Sequence, residues 1–374
     1  MKNVLITGAE GFVGKNLLVT LQQRNDLHIL CFDVQDDPGS LNSLLEQADF
    51  IFHLAGVNRP QNPDEFRSGN TGLTEQICHH LVASGRKVPL AITSSTQASL
   101  DNPYGSSKRG AEEAVFSYGR ETGAAVHVFR LPNVFGKWCR PNYNSGVATF
   151  CHNIAHDLPI QVNDPTVVMN LVYIDDVVDA FIALLDGVVL EQSGFCQVQP
   201  VHTVTLEDVV GTIHSFRESR ERRNIPDLSD SFVKKLYSTY LSYLPVDNFS
   251  YPLAMNVDER GSFTEFIKTP DRGQVSVNIS KPGVTKGNHW HHTKNEKFLV
   301  VSGGGIIRFR KIGCDEIIEY PVTGDKLEVV DIPTGYTHNI SNTGTSDMVT
   351  VMWCNEVFNS EKPDTYFENV ERGA

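Results

Sequence analysis

The chain has 374 residues, a formal net charge of −13 and an apolar fraction of 40%. This length predicts at least two domains, because a single hydrophobic core rarely serves more than about 250–300 residues. The negative charge argues against a nucleic-acid partner, since phosphate binding relies on clustered lysine and arginine. No apolar run approaches the roughly 20 residues that span a bilayer, which argues against a membrane role.

The N-terminal residues and the cysteines bear on cellular location. Residues 1–6 pass directly into a strand-like run and a glycine turn, without the apolar region of a secretory signal. The seven cysteines are odd in number and include no CxxC pair, which is typical of reduced packing thiols. We therefore expect a cytoplasmic protein.

Residues 1–245 are predicted to form an α/β domain with a doubly wound, Rossmann-like parallel sheet. Strand-like runs alternate with amphipathic helical segments up to about residue 185, and this alternation favours parallel strands joined by helices. Helical periodicity at 206–217 and 231–243 predicts a small lobe that completes the domain. The predicted strands cover 3–7, 28–32, 50–54, 88–93 and 127–130, and the first predicted helix covers 15–23.

A glycine-rich segment, Thr7-Gly8-Ala9-Glu10-Gly11-Phe12-Val13-Gly14, follows the first strand and opens a helix. Glycines at these positions let the backbone approach a pyrophosphate held at the helix N-terminus. Asp33 ends the second strand, where an acid that binds the adenosine ribose belongs. Its carboxylate would accept the ribose hydroxyls and repel a 2′-phosphate, so the residues predict a dinucleotide site and favour NADH.

Tyr104 and Lys108 lie four residues apart at the start of a helical segment, so both project from one face. A phenol with a pKa of about 10 is a poor acid at neutral pH unless a cation stabilises its phenolate. Lys108 is expected to supply that cation. Ser95, near the end of a strand, adds a hydroxyl that could hold a substrate carbonyl oxygen, and the three residues predict a reduction site.

These motifs resemble the extended short-chain dehydrogenase/reductase family, particularly its members that act on sugar nucleotides. Further shared features are the segments 53–56 (HLAG), 70–74 (NTGLT), 130–136 (RLPNVFG) and 173–177 (YIDDV). The resemblance implies that Ser95, Tyr104 and Lys108 form a catalytic triad and that Asn133 lies near the diphosphate of the nucleotide sugar. Because the segment from Ser95 to Tyr104 is shorter than in many relatives, Ser94 or Thr96 stays open as a substitute for Ser95.

The same resemblance implies a nicotinamide coenzyme. Its relatives favour NADPH, whereas Asp33 favours NADH, so both forms stay open. The expected coenzyme contacts are Gly8, Gly11, Phe12, Val13, Gly14, Asp33, Leu54, Ala55, Gly56, Tyr104 and Lys108.

The pattern changes at 244–252, which contains two prolines and has no period, so a domain boundary is placed there. Residues 246–374 are predicted to form an all-β domain, a small antiparallel barrel or jelly roll, because short β-rich runs alternate with turn residues. The predicted strands cover 274–279, 296–301, 305–310, 316–322, 326–332 and 348–353.

A metal-binding pattern lies in this second domain. His289 and His291 would share one face of a strand, and Glu296 and His338 could converge on them from neighbouring strands. The spacing resembles the two conserved patterns of the cupin family, which implies that these four residues bind a metal. Three nitrogens and one oxygen suit zinc, and also iron, manganese or nickel. His292 would face the other side of the strand and is left out.

Over its whole length the chain resembles the CapF-type enzymes of capsular and O-antigen polysaccharide synthesis, in which a short-chain reductase is fused to a C-terminal cupin. Segments 136–145 and 258–266 are especially similar. The resemblance implies two reactions on the route to UDP-N-acetyl-L-fucosamine. The cupin would epimerise C3 of a UDP-linked 2-acetamido-2,6-dideoxy-hexos-4-ulose, and the reductase would then reduce the C4 ketone with NAD(P)H to give UDP-2-acetamido-2,6-dideoxy-L-talose.

Two alternative functions remain open from the sequence alone. In one, the protein is a single-step 4-ketoreductase whose cupin is a structural, dimerisation or sensing module. In the other, the cupin is a metal-dependent oxygenase, for which the same ligands would serve. Cupin barrels commonly pair through exposed strands, so a homodimer is expected.

Overall fold

The computed structural model describes residues 1–188, 191–192 and 194–372, and the chain separates into two compact units. The first consists of Met1–His214 and Ser229–Pro245, and the second of Ser215–Leu228 and Val246–Ala374. A domain boundary placed after residue 245 would put Ser215–Leu228 in the first unit. The segment groups with the second unit because its end pairs with the backbone of Lys268. The Lys268 N–H donates to the Arg223 carbonyl at 2.8 Å, and the Lys268 carbonyl accepts from the Ile225 N–H at 3.1 Å.

The first 245 residues contain both strands and helices, which alternate for most of the length up to residue 185. The strands are β1 (Lys2–Thr7), β2 (Leu27–Phe32), β3 (Phe50–His53), β4 (Leu90–Ser95), β5 (Val126–Leu131), β6 (Asn133–Phe135), β7 (Val168–Tyr173), β8 (Glu191–Gln192), β9 (Phe195–Cys196) and β10 (His202–Thr205). The helices are α1 (Phe12–Leu21), α2 (Ser40–Gln47), α3 (Asp64–Phe66), α4 (Leu73–Ala83), α5 (Pro103–Thr122), α6 (Gly146–Ala155), α7 (Ile174–Leu185), α8 (Leu206–Arg222) and α9 (Ser231–Leu241). No helix in the described ranges combines the length and apolarity needed to cross a bilayer.

The main sheet of the first unit has the order β2-β1-β3-β4-β5-β9-β8, and all its neighbours are parallel except β8 and β9. The predicted parallel sheet is therefore confirmed. The order in which the strands are added to the sheet reverses at β1, which has β2 on one side and β3 on the other. Ligands of such sheets bind outside the carboxyl ends of the strands at this switch point. The glycine-rich segment follows β1 and so lies there.

Buried apolar residues explain why these segments form central strands. Val4, Leu5 and Ile6 of β1 and Ile51 and Phe52 of β3 are fully buried, as expected of strands covered on both faces. Several boundaries differ from the predictions by a few residues. For example, helix α1 covers Phe12–Leu21 rather than 15–23, and β4 covers Leu90–Ser95 rather than 88–93.

The second unit is all-β, as predicted, and its sheets are antiparallel. One sheet has the order β11-β12-β13-β20-β15-β18 and the other β17-β16-β19-β14-β21. Their strands are β11 (Met255–Asp258), β12 (Gly261–Thr269), β13 (Gly273–Ser280), β14 (Thr285–Trp290), β15 (Glu296–Ser302), β16 (Gly304–Lys311), β17 (Ile317–Thr323), β18 (Val329–Ile332), β19 (Tyr336–Asn342), β20 (Met348–Cys354) and β21 (Tyr366–Phe367). The core of this cupin-like unit includes Phe298, Ile307, Phe309, Ile332 and Ile340.

Candidate active site and metal centre

A cavity of about 1470 Å³ lies in the first unit at the carboxyl end of its parallel sheet. It is bordered by the glycine-rich segment, by the end of β4 and by the start of α5. The structure therefore brings most of the predicted residues of this domain to one space. Those that line it are Gly8, Gly11, Phe12, Val13, Gly14, Leu54, Gly56, Ser95, Tyr104, Lys108 and Asn133.

The glycine-rich segment forms a cradle that a side chain would fill. Gly8 has φ 72°, and a Cβ there would lie 2.6 Å from the Ala55 nitrogen. A Cβ on Gly14 would lie 2.1 Å from the Gly8 carbonyl oxygen. Gly11 precedes α1 and offers no side-chain cap, so the first N–H groups of the helix are left for a ligand. This backbone fits the pyrophosphate of a dinucleotide.

Asp33 follows β2 and is held against the same loop. One carboxylate oxygen accepts from the Glu10 backbone N–H at 2.7 Å, and the other accepts from the Val34 N–H at 2.8 Å. The Asp33 backbone N–H in turn donates to the Asp36 carboxylate at 2.7 Å. These bonds fix a negative charge beside the loop, at the position predicted for the ribose-binding acid.

Tyr104 and Lys108 occupy the first turns of α5, as their spacing predicts. Asn102 caps this helix by accepting the Gly105 N–H at 2.7 Å. Burial raises the pKa of Tyr104, and a hydrogen bond from Ser95 opposes this rise only in part. Although the spacing from Lys108 predicts a lowered pKa for Tyr104, burial of the phenol dominates and its pKa is raised.

The Lys108 amine is deeply buried between β4 and α5. Its Nζ donates to the Thr93 carbonyl at 3.2 Å and lies 6.0 Å from the centroid of the Tyr104 ring. Burial lowers its pKa to about 8, against the opposing effect of Glu112. Gly56 leaves room for this amine, since a Cβ there would lie 3.2 Å from Nζ.

The three candidate hydroxyls near Tyr104 have different surroundings. Ser94 is buried and donates to a Glu112 oxygen at 2.5 Å, so its hydroxyl points into the protein. Thr96 opens a short 3₁₀ turn and is exposed. Ser95 is the one whose hydroxyl acts on Tyr104. This arrangement favours Ser95, rather than Ser94 or Thr96, as the hydroxyl that would hold a substrate carbonyl oxygen.

Sequence reasoning missed the groups that support α5. Glu112 accepts from Arg130 through Nε at 2.8 Å and Nη2 at 2.6 Å, in addition to its bond from Ser94. Asn70 donates to the Ser107 hydroxyl at 2.9 Å and accepts the Val57 N–H at 2.8 Å. The spacing 104–108–112 along one helix face was the available signal for Glu112.

The second unit brings the four predicted metal ligands together. One nitrogen each of His289, His291 and His338 and one oxygen of Glu296 all lie within 4.8 Å of one another. His289 lies in β14, His338 in β19 and Glu296 at the start of β15. His291 does not share a strand face with His289 as predicted, because β14 ends at Trp290.

The turn after β14 is held by Asp364, a residue that sequence reasoning missed. Its carboxylate accepts backbone N–H groups from His292, Thr293 and Lys294 at 2.7–2.9 Å. Its carbonyl lies 2.5 Å from His291 Nδ1. A carbonyl can only accept, so Nδ1 carries the hydrogen and the lone pair of His291 is on Nε2, which faces the cluster.

Unpaired buried atoms at this cluster test whether a cation fits. Among the described residues, His291 Nε2, His338 Nε2 and Glu296 Oε2 are buried without a hydrogen-bond partner. The glutamate oxygen lies 3.5 Å from His291 Nε2 and 3.3 Å from His338 Nε2. Burial lowers the pKa of His289 to about 4, so this imidazole is neutral at pH 7. A divalent cation would satisfy all these donor atoms at once.

The charge of Glu296 is also suited to a cation. Burial alone would raise the pKa of its carboxyl, but His291, His338 and Lys294 outweigh burial and hold the pKa well below its usual range. Lys294 Nζ lies 3.0 Å from the other carboxylate oxygen. Glu296 is therefore a carboxylate at neutral pH.

A second cavity, of about 540 Å³, borders this cluster. Among its lining residues are His289, Glu296 and His338, together with Lys286 and Lys294. Three of the four predicted ligands therefore face a space large enough for a sugar, whereas His291 does not line it. The ring of His292 is exposed and lies outside the four-residue cluster.

Each of the two units matches a known protein family. Residues 4–194 match the NAD dependent epimerase/dehydratase family, and residues 256–366 match the polysaccharide biosynthesis C-terminal domain. A Pseudomonas aeruginosa relative, UDP-2-acetamido-2,6-beta-L-arabino-hexul-4-ose reductase, is 48% identical over 99% of this chain and 100% of its own length.

Two solved structures are also similar to this chain. The capsular polysaccharide assembling protein CapF from Staphylococcus aureus is 56% identical, with a TM-score of 0.94 over 98% of this chain and 100% of that one. UDP-glucuronic acid 4-epimerase from Bacillus cereus, solved with NAD, is 17% identical, with a TM-score of 0.55 over 64% of this chain and 98% of that one. The second likeness supports the fold alone.

Proposed function

Because the chain belongs to the NAD dependent epimerase/dehydratase family and shares the two-domain organisation of CapF, we propose that it acts on a UDP-linked 4-keto-6-deoxy-N-acetylhexosamine. The first unit reduces the C4 ketone with a nicotinamide coenzyme. The cupin domain, residues 246–374, epimerises C3 before this reduction. The product is UDP-2-acetamido-2,6-dideoxy-L-talose, a precursor for capsule or O-antigen.

The observation that carries the reductase proposal is the convergence of Ser95 and Tyr104 in the coenzyme cavity, with Lys108 in the next helical turn. When bound, the coenzyme supplies a hydride to C4. Tyr104, whose raised pKa keeps it protonated, donates its proton to the oxygen that develops negative charge. Ser95 holds that oxygen, and Lys108 contributes a positive charge while it is protonated. Asn133 lines the same cavity and is assigned to the substrate diphosphate.

The coenzyme contacts are assigned to the backbone cradle. Gly8, Gly11 and Gly14 let the pyrophosphate approach the start of α1. The resemblance to CapF-type enzymes favours NADPH, whereas the fixed carboxylate of Asp33 favours NADH. Leu54, Ala55 and Gly56 continue the cradle after β3. This chemistry belongs in the cytoplasm, where reduced nicotinamide coenzymes are regenerated, and we expect a homodimer.

The epimerisation proposal depends on the metal centre and its cavity. Three imidazoles and one carboxylate suit zinc, which when bound acts as a Lewis acid on a ketone oxygen. Four protein ligands without an open position would favour a structural role, whereas the exposure of His289, Glu296 and His338 to the cavity favours a catalytic one. A cupin that serves only structure or dimerisation would not need this opening. Zinc would also exclude oxygenase chemistry, since it is not redox-active.

The chemistry of the sugar fixes the order of the two steps. The hydrogen on C3 is acidic only while C4 is a ketone, because the ketone delocalises the charge left on C3. Reduction of C4 removes that activation. Epimerisation in the second unit therefore precedes reduction in the first.

The test is NMR of the UDP-linked 4-keto substrate in D₂O with the full-length enzyme, first without coenzyme and then with NADH or NADPH. We expect deuterium to enter C3 before coenzyme is added and the ketone to disappear afterwards. Normal reduction without exchange would leave a single-step reductase with a structural or sensing cupin. Exchange without reduction would remove the reductase assignment.

A matched variant separates the two activities. Tyr104→Phe removes the proton donor and keeps the ring, so reduction should slow by about 10²–10⁴-fold, the usual contribution of such a group. Exchange at C3 should stay at the wild-type rate. Ser117→Ala is the control, because Ser117 is exposed on the same helix and does not line the cavity. A Tyr104→Phe enzyme that reduces at the wild-type rate would exclude Tyr104 as the proton donor.

A further inference from the structure

The register of β14 brings Lys286 to the same side of its sheet as the metal ligand His289. Lys286 lies opposite Ile340 of β19, and His289 lies opposite His338. In a regular strand, residues three apart point to opposite faces. Here Asn288 is an extra residue in β14, so a β-bulge restores Lys286 and His289 to one face.

The bulge is fixed by several contacts of Asn288. Its backbone has φ 60°, a left-handed conformation that non-glycine residues seldom adopt. Its side-chain oxygen accepts from Asn339 Nδ2 at 2.9 Å, and its carbonyl accepts from Glu368 N–H at 3.0 Å. Bulges are common next to active sites, where they redirect a side chain. This bulge directs Lys286 toward the metal cavity, which Lys286 lines.

The amine of Lys286 reaches across the barrel interior to β13. It donates to the side-chain oxygen of Asn278 at 2.9 Å and to the carbonyl of Ile279 at 2.8 Å. Asn278 is held in turn, because its Nδ2 donates to the Ser280 hydroxyl at 3.1 Å. A tetrahedral amine with two hydrogens engaged has one direction left, which carries a third hydrogen when charged and a lone pair when neutral. Lys286 lines the cavity, which leaves that direction for a bound sugar.

We propose that Lys286 removes the C3 proton of the sugar in the second unit, an inference that rests on the proposed epimerisation. Its neutral amine takes the proton, the C–H electron pair forms a C3–C4 double bond, and the ketone pair moves to the C4 oxygen. A solvent water then delivers a proton to the opposite face of C3 as the C4 ketone re-forms. The lysine ammonium neutralises the hydroxide left behind, so the enzyme is regenerated without any redox change.

The other ionisable groups that line this cavity are less suited to the role. Lys294 is paired with the ligand Glu296 at 3.0 Å. Asp258 is paired with Arg260 at 2.6 Å, and that arginine lowers the pKa of its carboxyl, which weakens it as a base. Burial, by contrast, lowers the pKa of Lys286 and so increases its neutral fraction. Lysine serves as the base in other enzymes that form enolates beside a cation.

The experiment uses the metal-loaded, full-length enzyme in D₂O without coenzyme and follows deuterium at C3. Lys286→Met should slow exchange by about 100-fold or more, while metal content and coenzyme affinity match the wild type. Lys286→Arg keeps the charge but is a far poorer base, so it should be nearly as slow. Lys281→Met is the control, because Lys281 is exposed in the turn after β13.

Chemical rescue separates a base from a structural role. Ethylamine added to Lys286→Ala should restore part of the exchange, in proportion to the concentration of its neutral form. Exchange at the wild-type rate in Lys286→Arg, or no rescue of a folded and metal-loaded Lys286→Ala, would overturn the inference. A wild-type enzyme that binds zinc but does not exchange C3 would instead overturn the proposed epimerisation itself.

Discussion

The two sites differ in what completes them. In the first unit the cradle is made of backbone, and the polar groups around Lys108 are already paired, as the bonds among Ser94, Glu112 and Arg130 show. In the second unit the ligand atoms of His291, Glu296 and His338 are buried without hydrogen-bond partners among the described residues. An unpaired buried polar atom costs about 1–3 kcal/mol.

This difference predicts a different dependence on ligands. The coenzyme site should keep its shape when empty, because its cradle is backbone and the polar side chains near Lys108 are paired with one another. The metal site should lose stability when empty, because a cation is what satisfies its donors. Removal of the metal should therefore lower the stability of the protein more than removal of the coenzyme.

Removal of the metal should have the largest effect. A ligand at a thousand times its Kd stabilises a fold by about 4 kcal/mol, which corresponds to roughly 10 °C in melting temperature for a unit of this size. Dialysis against a chelator should lower the melting temperature of the second unit by that order and abolish C3 exchange. Coenzyme affinity, measured by NADH fluorescence, should not change. Full exchange after chelation would show that the metal has no catalytic role.

A single methyl group in the cradle should have the next largest effect. Gly14→Ala places a Cβ 2.1 Å from the Gly8 carbonyl oxygen and 2.9 Å from the Ala9 Cα, and these backbone atoms leave it little room. Coenzyme affinity should fall about 100-fold, which is about 2.7 kcal/mol, while C3 exchange continues. Gly211→Ala in α8 is the control, since its Cβ would meet nothing within 4 Å. Equal affinity in Gly14→Ala and wild type would contradict the proposed cradle.

The cradle could be proposed from the sequence because it depends on local features. The glycine-rich segment follows an apolar run that forms β1, and the pair Tyr104 and Lys108 follows from helix geometry. These features need no knowledge of which distant segments meet. The three histidines and Glu296, by contrast, are proposed through the resemblance of their spacing to the cupin patterns, because they lie on different strands and His338 is distant from the others in the sequence.

The supporting residues could not be predicted, for a physical reason. Asp364 reaches the turn of His291 from 70 residues away, and alternation along the chain gives no sign of such a contact. The bulge at Asn288 breaks strand alternation at one residue, so the face of Lys286 follows only from the register with β19. Sequence patterns therefore predict the reacting groups better than the groups that position them.

The pH dependence of reduction tests whether the charge of Lys108 contributes to the first site. Burial lowers the pKa of its amine to about 8, so the amine is charged below pH 8 and neutral above it. If the charge assists Tyr104, kcat/KM for reduction should fall about tenfold per pH unit above pH 8. Lys108→Arg stays charged and should lose this decline. A wild-type profile that stays level to pH 10 would exclude a role for the Lys108 charge.

The smallest expected effect concerns the form of the coenzyme. The carboxylate of Asp33 is held by the N–H groups of Glu10 and Val34, so it cannot turn away from a 2′-phosphate. We expect NADH to bind about tenfold more tightly than NADPH, a difference of about 1.4 kcal/mol. Asp33→Ser should remove most of this preference by improving NADPH binding. Asp37→Ser is the control, because the Asp37 carboxylate bonds within its own turn, to Gly39. Tighter binding of NADPH by the wild type would mean that other groups in the cradle compensate for the charge of Asp33, and the coenzyme preference would then follow the resemblance to CapF-type enzymes.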